Sequence, residues 1–149
     1  MLGNIFNKNE EALNLIATLS KNFPRRDLNK NAPTCLIVAS RREYEIGDLL
    51  VAGRSSFLSE IVERVGGVNI VKDDSDYIYL QSELLPELDP DIIIELHATE
   101  VAQEAVKNLW KKSFPKLRAK LKIISNENVL MPGSNIMESA SLLKQAIQE

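Results

Sequence analysis

The chain has 149 residues, which suits one domain and is too short for two domains of ordinary size. Its hydrophobic share of 44% and charged share of 26% are those of a globular protein and exclude disorder as the main state. Its 18 basic and 21 acidic residues give a net charge of −3, which argues against nucleic-acid binding, and a single cysteine excludes an internal disulfide.

The N-terminal part is predicted to form a helix followed by two strands. Residues 9–22 have helical periodicity, and Asn7 with Glu10 resembles a capping box. This segment lacks a basic region followed by an unbroken apolar core, so we do not expect it to act as a secretory signal. The short apolar runs 34–39 and 48–52 are typical of buried strands.

The rest of the chain alternates between the two kinds of element. The predicted elements are a helix at 57–65, a strand at 69–71, a polar loop at 72–79, a helix at 81–88, a strand at 91–96, a helix at 100–110, a helical piece at 113–120, a strand at 121–125 and a helix at 134–148. Ser55 or Ser56 can cap the helix at 57–65, and Gly66 can end it. Alternating strands and helices imply βαβ units, so we predict an α/β fold: a three-layer, Rossmann-like lobe with a mainly parallel sheet.

Few residues have the pattern of a catalytic or metal site. His97 is the only histidine, and Glu95 shares its face if this segment is a strand. With Glu100 they could form a metal site, and one alternative interpretation is a small metal-dependent enzyme; a polar strand end at the rim of the sheet is the simpler interpretation. Cys35 begins a buried strand and is expected to be inert. We predict that the protein is not an enzyme and holds no cofactor.

Short motifs follow one another in a specific order from residue 34 to residue 149. They are Ala52-Gly53, Ser56, Gly66-Gly67-Val68-Asn69-Ile70, Tyr77, Ser82-Glu83, Pro90-Asp91, Trp110 and Pro132-Gly133. This series resembles the C-terminal lobe of the helical-backbone periplasmic substrate-binding proteins of ABC importers for vitamin B12, haem and iron–siderophores. The resemblance implies that residues 1–24 are the end of an interlobe backbone helix, that 25–149 are the C-terminal ligand-binding lobe, and that the N-terminal lobe is missing.

The resemblance also implies a function and a set of ligand contacts. Such a protein captures a metal chelate between its lobes in the periplasm, or outside the cytoplasm at the membrane, and delivers it to an ABC permease. Tyr77, with Tyr79 near it, matches the position of an aromatic residue beside the ligand. Leu50, Arg54 and Ser55 are expected in a strand-to-helix loop that faces the cleft, since open α/β sheets bind ligands beyond the carboxyl ends of their strands.

The same resemblance gives Glu83 the role of docking on arginines of the permease. A carboxylate in the first turn of a helix is favoured by the helix dipole and can pair with a guanidinium. Other interpretations stay open: Tyr77 can be a packing residue, Arg54 a solvated charge, and the whole chain a stand-alone cytoplasmic α/β domain for regulation or partner binding. An isolated lobe could also form a homodimer through its open cleft face.

Overall fold

The fold consists of a sheet with helices on both of its faces. The structure, a computed structural model, describes residues 17–18, 20–24, 31–133 and 135–149. The strands are β1 (Thr34–Ser40), β2 (Leu49–Ala52), β3 (Val68–Asn69), β4 (Tyr77–Leu80), β5 (Ile92–His97) and β6 (Lys120–Ser125). The helices are α1 (Phe57–Val65), α2 (Leu85–Leu88), α3 (Gln103–Ser113) and α4 (Ile136–Gln148), and a 3₁₀ turn (Ser82–Leu84) precedes α2.

The sheet has a parallel part and an antiparallel part. Its strand order is β4-β2-β1-β5-β6, with β3 beside the start of β1. Strand β1 pairs in parallel with β3 and β5, and β5 pairs in parallel with β6. Strand β2 runs antiparallel to both β1 and β4. The predicted mainly parallel sheet is confirmed, and the ends of β1, β5 and β6 meet at one edge, called here the carboxyl edge.

Two hydrophobic clusters, one on each face of the sheet, join the sheet to the helices and give the fold its three layers. Side chains of a strand alternate between faces, so neighbouring residues of β1 and β5 enter different clusters. The cluster on the α1 and α4 face includes Ile37, Leu58, Ile61, Ile94 and Leu143. The cluster on the α2 and α3 face includes Leu36, Val38, Leu85, Ile93 and Trp110. The central strands are therefore buried on both faces, as their continuous apolar sequence predicts.

Helix α1 begins and ends at the residues that the sequence indicates. The Ser56 hydroxyl oxygen accepts a hydrogen bond from the Ser59 backbone N–H at 3.1 Å, which makes Ser56 the N-cap. Gly66 follows the helix with a φ of 106°, a left-handed conformation that favours glycine. The backbone N–H of Gly67 then donates to the carbonyl oxygen of Val62 at 2.9 Å. The predicted cap and stop are both confirmed.

Two predicted elements are wrong. The segment 72–79 is not all loop, because Tyr77–Leu80 forms strand β4 and pairs with β2. The segment 113–120 is not a helix, because α3 ends at Ser113. A turn leads from there into β6, and within this turn the Leu117 N–H donates to the Phe114 carbonyl oxygen at 3.1 Å. Helix α3 also begins at Gln103, three residues later than predicted.

The N-terminal prediction concerns residues that lie mostly outside the described part of the chain. Residues 17–18 and 20–22 are helical, and the remainder of the predicted helix at 9–22 is not described. Phe23 packs against the hydrophobic cluster on the α1 and α4 face. Arg64 of α1 donates to the Phe23 carbonyl oxygen at 3.1 Å, so this end of the segment contacts the lobe. Among the described residues, no helix combines the length and the apolarity that crossing a bilayer requires.

Candidate ligand pocket at the carboxyl edge

A cavity of about 750 Å³ lies at the carboxyl edge, where β1 and β5 end. This volume is within the range of about 300–1,000 Å³ that small-molecule sites usually have. Its walls come from the end of β1 and the loop after it, from the end of β5 and the segment leading into α3, and from the first turns of α3. The lining residues are Ala39, Ser40, Arg41, Glu43, Tyr44, Glu95, Leu96, His97, Ala98, Thr99, Glu100, Val101, Ala102, Ala105, Val106, Leu109 and Leu130.

Helix α3 is only partly covered by the rest of the lobe. Val106 and Trp110 are buried. Ala105, in contrast, is exposed, because it borders the cavity and no neighbouring element covers it. The helix face between Ala105 and Leu109 therefore forms an apolar wall of the pocket.

A buried polar network centred on Glu95 forms part of the pocket wall. The Glu95 side chain is 1% exposed, and its Oε1 lies 2.8 Å from Nη2 of Arg41 and 2.8 Å from Nε2 of His97. The indole Nε1 of Trp110 donates to the other carboxylate oxygen, Oε2. A buried carboxylate is costly unless it is paired and hydrogen-bonded, and this one receives donors from three separate parts of the chain.

Arg41 also shapes the loop that follows β1. Its Nη1 donates to the carbonyl oxygens of Arg42 at 2.6 Å and Glu43 at 2.9 Å. The Arg41 side chain is 5% exposed, and its Nε is buried with no hydrogen-bond partner among the described residues. The loop is tied at its far end as well, since the Ser82 hydroxyl donates to the Ile46 carbonyl oxygen at 3.1 Å. This loop presents Tyr44, which is 83% exposed, at the rim of the pocket.

The structure divides the predicted ligand contacts between two edges of the sheet. Leu50 pairs with Ser40 and with Tyr79, so both Leu50 and Tyr79 lie near the carboxyl edge, and Tyr79 is 77% exposed. Arg54 and Ser55 follow the end of β2. Because β2 runs antiparallel to β1, they lie towards the opposite edge.

The expectation that one cleft-facing loop carries Leu50, Arg54 and Ser55 is therefore wrong in its placement. The carboxyl-end rule holds for parallel strands, and β2 is antiparallel to both of its neighbours. Arg54 forms an ion pair with Asp74 at 2.5 Å, and both side chains are exposed. None of the five predicted ligand contacts lines the cavity at the carboxyl edge.

Tyr77 lies on a strand and not on a loop. It is the first residue of β4, opposite Ala52, and its half-buried ring packs against the hydrophobic cluster on the α1 and α4 face. Burial, and to a smaller extent the charge of Asp76, raises the pKa of the Tyr77 phenol. The packing interpretation of Tyr77 agrees with this placement.

Glu83 is exposed in the 3₁₀ turn after β4, at the same end of the lobe as the pocket. The predicted single helix at 81–88 is a three-residue 3₁₀ turn followed by the four-residue helix α2. Such short elements have small dipoles, so the helix-dipole argument for Glu83 weakens. Leu84 beside it is 42% exposed, which gives this turn both a charge and an apolar side chain on the surface.

The metal-enzyme alternative receives no support from the described residues. Glu95 and His97 are in contact and Glu100 lines the same cavity, but no group of three or more His, Cys, Asp or Glu side chains there could hold a metal ion. Cys35 is fully buried, and burial raises the pKa of its thiol to about 12, which explains why this residue is expected to be inert.

Sequence reasoning missed Arg41 and Trp110 as members of the site. Both had a detectable signal. Arg41 comes directly after the strand that contains the buried run Cys35–Ala39, and Glu95 is a carboxylate within a run of apolar residues that reads as a buried strand. Charges placed against buried strands need partners, so a search for donors to Glu95 would have pointed to Arg41 and the single tryptophan.

Comparisons with known proteins identify the type of fold. No family model matches the chain. A cobalamin-binding protein of Halobacterium salinarum is 25% identical over 112 residues, which are 69% of this chain and 30% of that protein. The high-affinity heme uptake system protein IsdE of Staphylococcus aureus is 36% identical over 69 residues, 46% of this chain and 23% of that protein.

Solved structures extend the similarity to nearly the whole chain. A possible iron-binding (periplasmic solute-binding) protein of Staphylococcus epidermidis has a TM-score of 0.73 at 19% identity, covering 99% of this chain and 59% of that one. The structure of S. aureus IsdE complexed with heme has a TM-score of 0.65 at 24% identity, covering 99% and 61%. The chain has the fold of ABC-importer substrate-binding proteins. The predicted resemblance is confirmed.

The chain spans less than a third of these curated relatives and about three fifths of these solved structures. The mainly parallel sheet with helices on both faces has the architecture of a Rossmann-like lobe. The named relatives are binding and uptake proteins and not enzymes.

Proposed function

We propose that this chain is one ligand-binding lobe of a substrate-binding protein that supplies an ABC importer with a metal chelate such as cobalamin, haem or a ferric siderophore. The observation that carries the proposal is the pocket at the carboxyl edge, which has the volume of a ligand site. Proteins with this fold include binders of cobalamin, heme and, in one solved structure, a component of an Fe3+-hydroxamate transport system.

The chemistry of the pocket suits a flat, partly charged metal complex. Its α3 wall is apolar, and two exposed tyrosines, Tyr44 and Tyr79, stand at the same edge of the sheet. Aromatic faces of this kind stack on ring systems. His97 adds an imidazole, a group that coordinates haem iron, while the charge of Arg41 is neutralised within the wall by Glu95. We retain Tyr79 and Leu50 as proposed ligand contacts and replace Arg54, Ser55 and Tyr77 with the residues that line the pocket.

The lobe would supply one wall of the ligand site, and a second lobe would supply the other. We assign residues 1–24 to the end of the helix that joins the lobes and 25–149 to the C-terminal lobe. Phe23 and Arg64 support this division, because their contact fixes the end of the N-terminal segment on the lobe. The protein would act without catalysis and outside the cytoplasm, where the permease receives the chelate.

Glu83 is the proposed anchor for the permease. Glu83 is exposed near the carboxyl edge, so a permease that meets this end of the lobe would reach it. A carboxylate here can form a charge-assisted pair with an arginine, while Leu84 adds apolar contact.

An absorbance and fluorescence titration of the 149-residue chain with haemin, cyanocobalamin and a ferric hydroxamate tests the proposal. We expect saturable binding of one of them with a dissociation constant above about 1 μM, because one wall alone buries much less than the roughly 70–90% of ligand surface that complete pockets bury. Absence of saturable binding for all three would favour the alternative of a regulatory or partner-binding domain. Sub-micromolar affinity would contradict the one-lobe interpretation.

A further inference from the structure

The charge of the chain is distributed very unevenly. Residues 105–126 contain seven basic residues and no acidic one, whereas the whole chain has a net charge of −3, so the rest of the chain carries −10. Lys107 pairs with Glu104 at 2.7 Å. The other six cations form no ion pair with any residue that the structure describes, and together they make up the basic patch: Lys111, Lys112, Lys116, Arg118, Lys120 and Lys122. Six unpaired charges of one sign favour a partner of the opposite sign.

The basic patch lies at the end of the lobe away from the pocket. It runs from the last turn of α3, through the turn that follows, to β6, which is the outermost strand on this side of the sheet. Lys120 lies opposite Ile92, the first residue of β5, so the patch reaches the edge where the parallel strands begin, called here the amino edge. Five of the six side chains are exposed, and Lys122 is partly exposed. None of the six lines the cavity at the carboxyl edge.

Apolar side chains lie among these cations. A cavity of about 370 Å³ beside the turn is lined by Phe114, Pro115 and Leu117 together with Lys116 and Arg118. Phe114 and Leu117 are half-buried and pack against the cluster on the α2 and α3 face, so they hold the turn in place and still present part of their surface between the cations. Protein surfaces that lie on anionic membranes combine basic and apolar side chains in this way.

Two carboxylates lie next to the basic patch and do not cancel its charge. Asp91 borders a neighbouring cavity with Arg118 and Lys120. Its Oδ2 accepts hydrogen bonds from the Thr34 backbone N–H at 2.7 Å and from the Thr34 hydroxyl at 2.8 Å. Asp89 borders both cavities. Six cations against two carboxylates leave the potential over this end of the lobe positive.

We propose that the basic patch docks the lobe on the anionic phosphate headgroups of a lipid membrane, with the pocket at the carboxyl edge left open to solvent. Clusters of about four to eight Lys and Arg side chains bind such surfaces. Five of the six cations are lysines, whose compact ammonium groups suit mobile headgroups, whereas a fixed carboxylate or phosphate favours the bidentate fork of arginine. Protein–protein interfaces are depleted in lysine, which makes an acidic protein the weaker candidate.

This inference goes beyond the proposed function and does not depend on which chelate the pocket takes. The patch would concentrate the lobe at the membrane surface. The rest of the chain is acidic and is repelled by the same surface, so the lobe would approach it with the patch first. The pocket and Glu83 lie towards the opposite end and stay accessible.

Co-sedimentation of the 149-residue chain with lipid vesicles tests the proposal. We expect binding to phosphatidylcholine vesicles that contain about one third phosphatidylglycerol, and no binding to pure phosphatidylcholine. Binding should be lost in about 1 M salt, where the Debye length is about 3 Å. Lys111→Gln/Lys116→Gln should lower the partition coefficient by about 20–30-fold, since each cation near an anionic surface accounts for about fivefold.

Lys72→Gln/Lys144→Gln is the matched control. It makes the same change in net charge outside the basic patch, because Lys72 lies between β3 and β4 and Lys144 lies on α4 beside Phe23. This variant should bind the vesicles as the wild type does, and both variants should keep the wild-type thermal melt. Equal losses of binding in the two variants, or binding that is insensitive to salt, would overturn the role of the patch.

Two soluble competitors separate the lipid surface from other anionic partners. Glycerol phosphate carries the phosphate chemistry of the headgroup without a bilayer, and polyglutamate imitates an acidic protein surface. Neither should release the lobe from the vesicles at an equal concentration of anionic groups. Release by glycerol phosphate would assign the patch to a free phosphate compound, and release by polyglutamate would assign it to an acidic protein; either result would overturn the membrane assignment.

Titrations of Lys111→Gln/Lys116→Gln with haemin, cyanocobalamin and a ferric hydroxamate separate this inference from the proposed function. Neither lysine lines the pocket, so the variant should match the wild type. Chelate binding without vesicle binding would overturn the membrane docking and leave the proposed function intact. Vesicle binding without chelate binding would support the docking and remove the proposed function alone.

Discussion

Tyr77 and Tyr79 form a natural pair for testing which tyrosine belongs to the core and which to the ligand site. They are two residues apart on β4, so their side chains lie on the same face of the sheet. Tyr77 packs against the cluster on the α1 and α4 face, whereas Tyr79 is 77% exposed. Substituting each by alanine removes the same atoms from two different environments.

The expected difference in stability follows from burial. A fully buried large aromatic costs about 3–5 kcal/mol when it is replaced by alanine, so the half-buried Tyr77 should cost roughly 2 kcal/mol. In a chain of this length that corresponds to a fall in melting temperature of about 4–8 °C. Tyr79→Ala should stay within about 0.5 kcal/mol of the wild type, as exposed substitutions usually do. Thermal melts followed by circular dichroism, together with urea titrations, measure both values.

The ligand-binding effects should run in the opposite direction. Tyr79→Ala should weaken chelate binding by about 0.5–1.5 kcal/mol if its ring stacks on the ligand, and Tyr77→Ala should leave the affinity of the folded protein unchanged. Equal losses of stability in the two variants would refute the argument from burial. A loss of affinity confined to Tyr77→Ala would restore the original assignment of Tyr77 as the ligand contact.

Three further predictions can be checked separately. Gly53→Ala should destabilise the fold by about 1–3 kcal/mol or prevent folding, since a Cβ there would lie 2.0 Å from the Ser75 carbonyl oxygen. Gly133→Ala is the control: a Cβ there would have nothing within 4 Å, so this variant should have the wild-type free energy of unfolding in the same urea titrations. The free energy of unfolding should fall as the pH rises from about 9 towards 12, because the unfolded Cys35 thiol titrates near 9.0 and the native one near 12; Cys35→Ala should make this fall shallower. Glu83→Ala in a two-lobed protein should reduce binding to reconstituted permease while changing stability by less than about 0.5 kcal/mol, and a loss of chelate affinity with intact permease binding would contradict the docking role.

The elements that could be predicted from the sequence are those whose signals are local. Strands β1 and β5 are continuous apolar runs, and α1 has a serine cap, helical periodicity and a terminal glycine. Strand β4 was missed because it follows an acidic loop and is covered mainly on one face. Its existence depends on pairing with β2, which no local pattern reveals.

The candidate site was harder to predict, because it depends on the direction of strands. The sequence of a strand does not reveal whether its neighbour runs parallel or antiparallel to it. The direction of β2 nevertheless determines at which edge of the sheet Arg54 lies. The network around Glu95 likewise joins residues that are 54 and 15 positions from it along the chain. The sequence does show charged residues within or next to buried strands. Such charges need partners, which is the physical reason to look for a network of this kind.

The two outer strands of the sheet also affect how the protein behaves at high concentration. Strand β6 carries Lys120 and Lys122, and β4 follows a loop with Asp73, Asp74 and Asp76. An exposed strand edge is a template on which other chains can add, and charged side chains at or beside the edge oppose that addition. Charge therefore opposes the addition of further strands at both margins of this sheet. The charge is positive on β6 and negative beside β4. Self-association of the lobe through these two margins is therefore disfavoured.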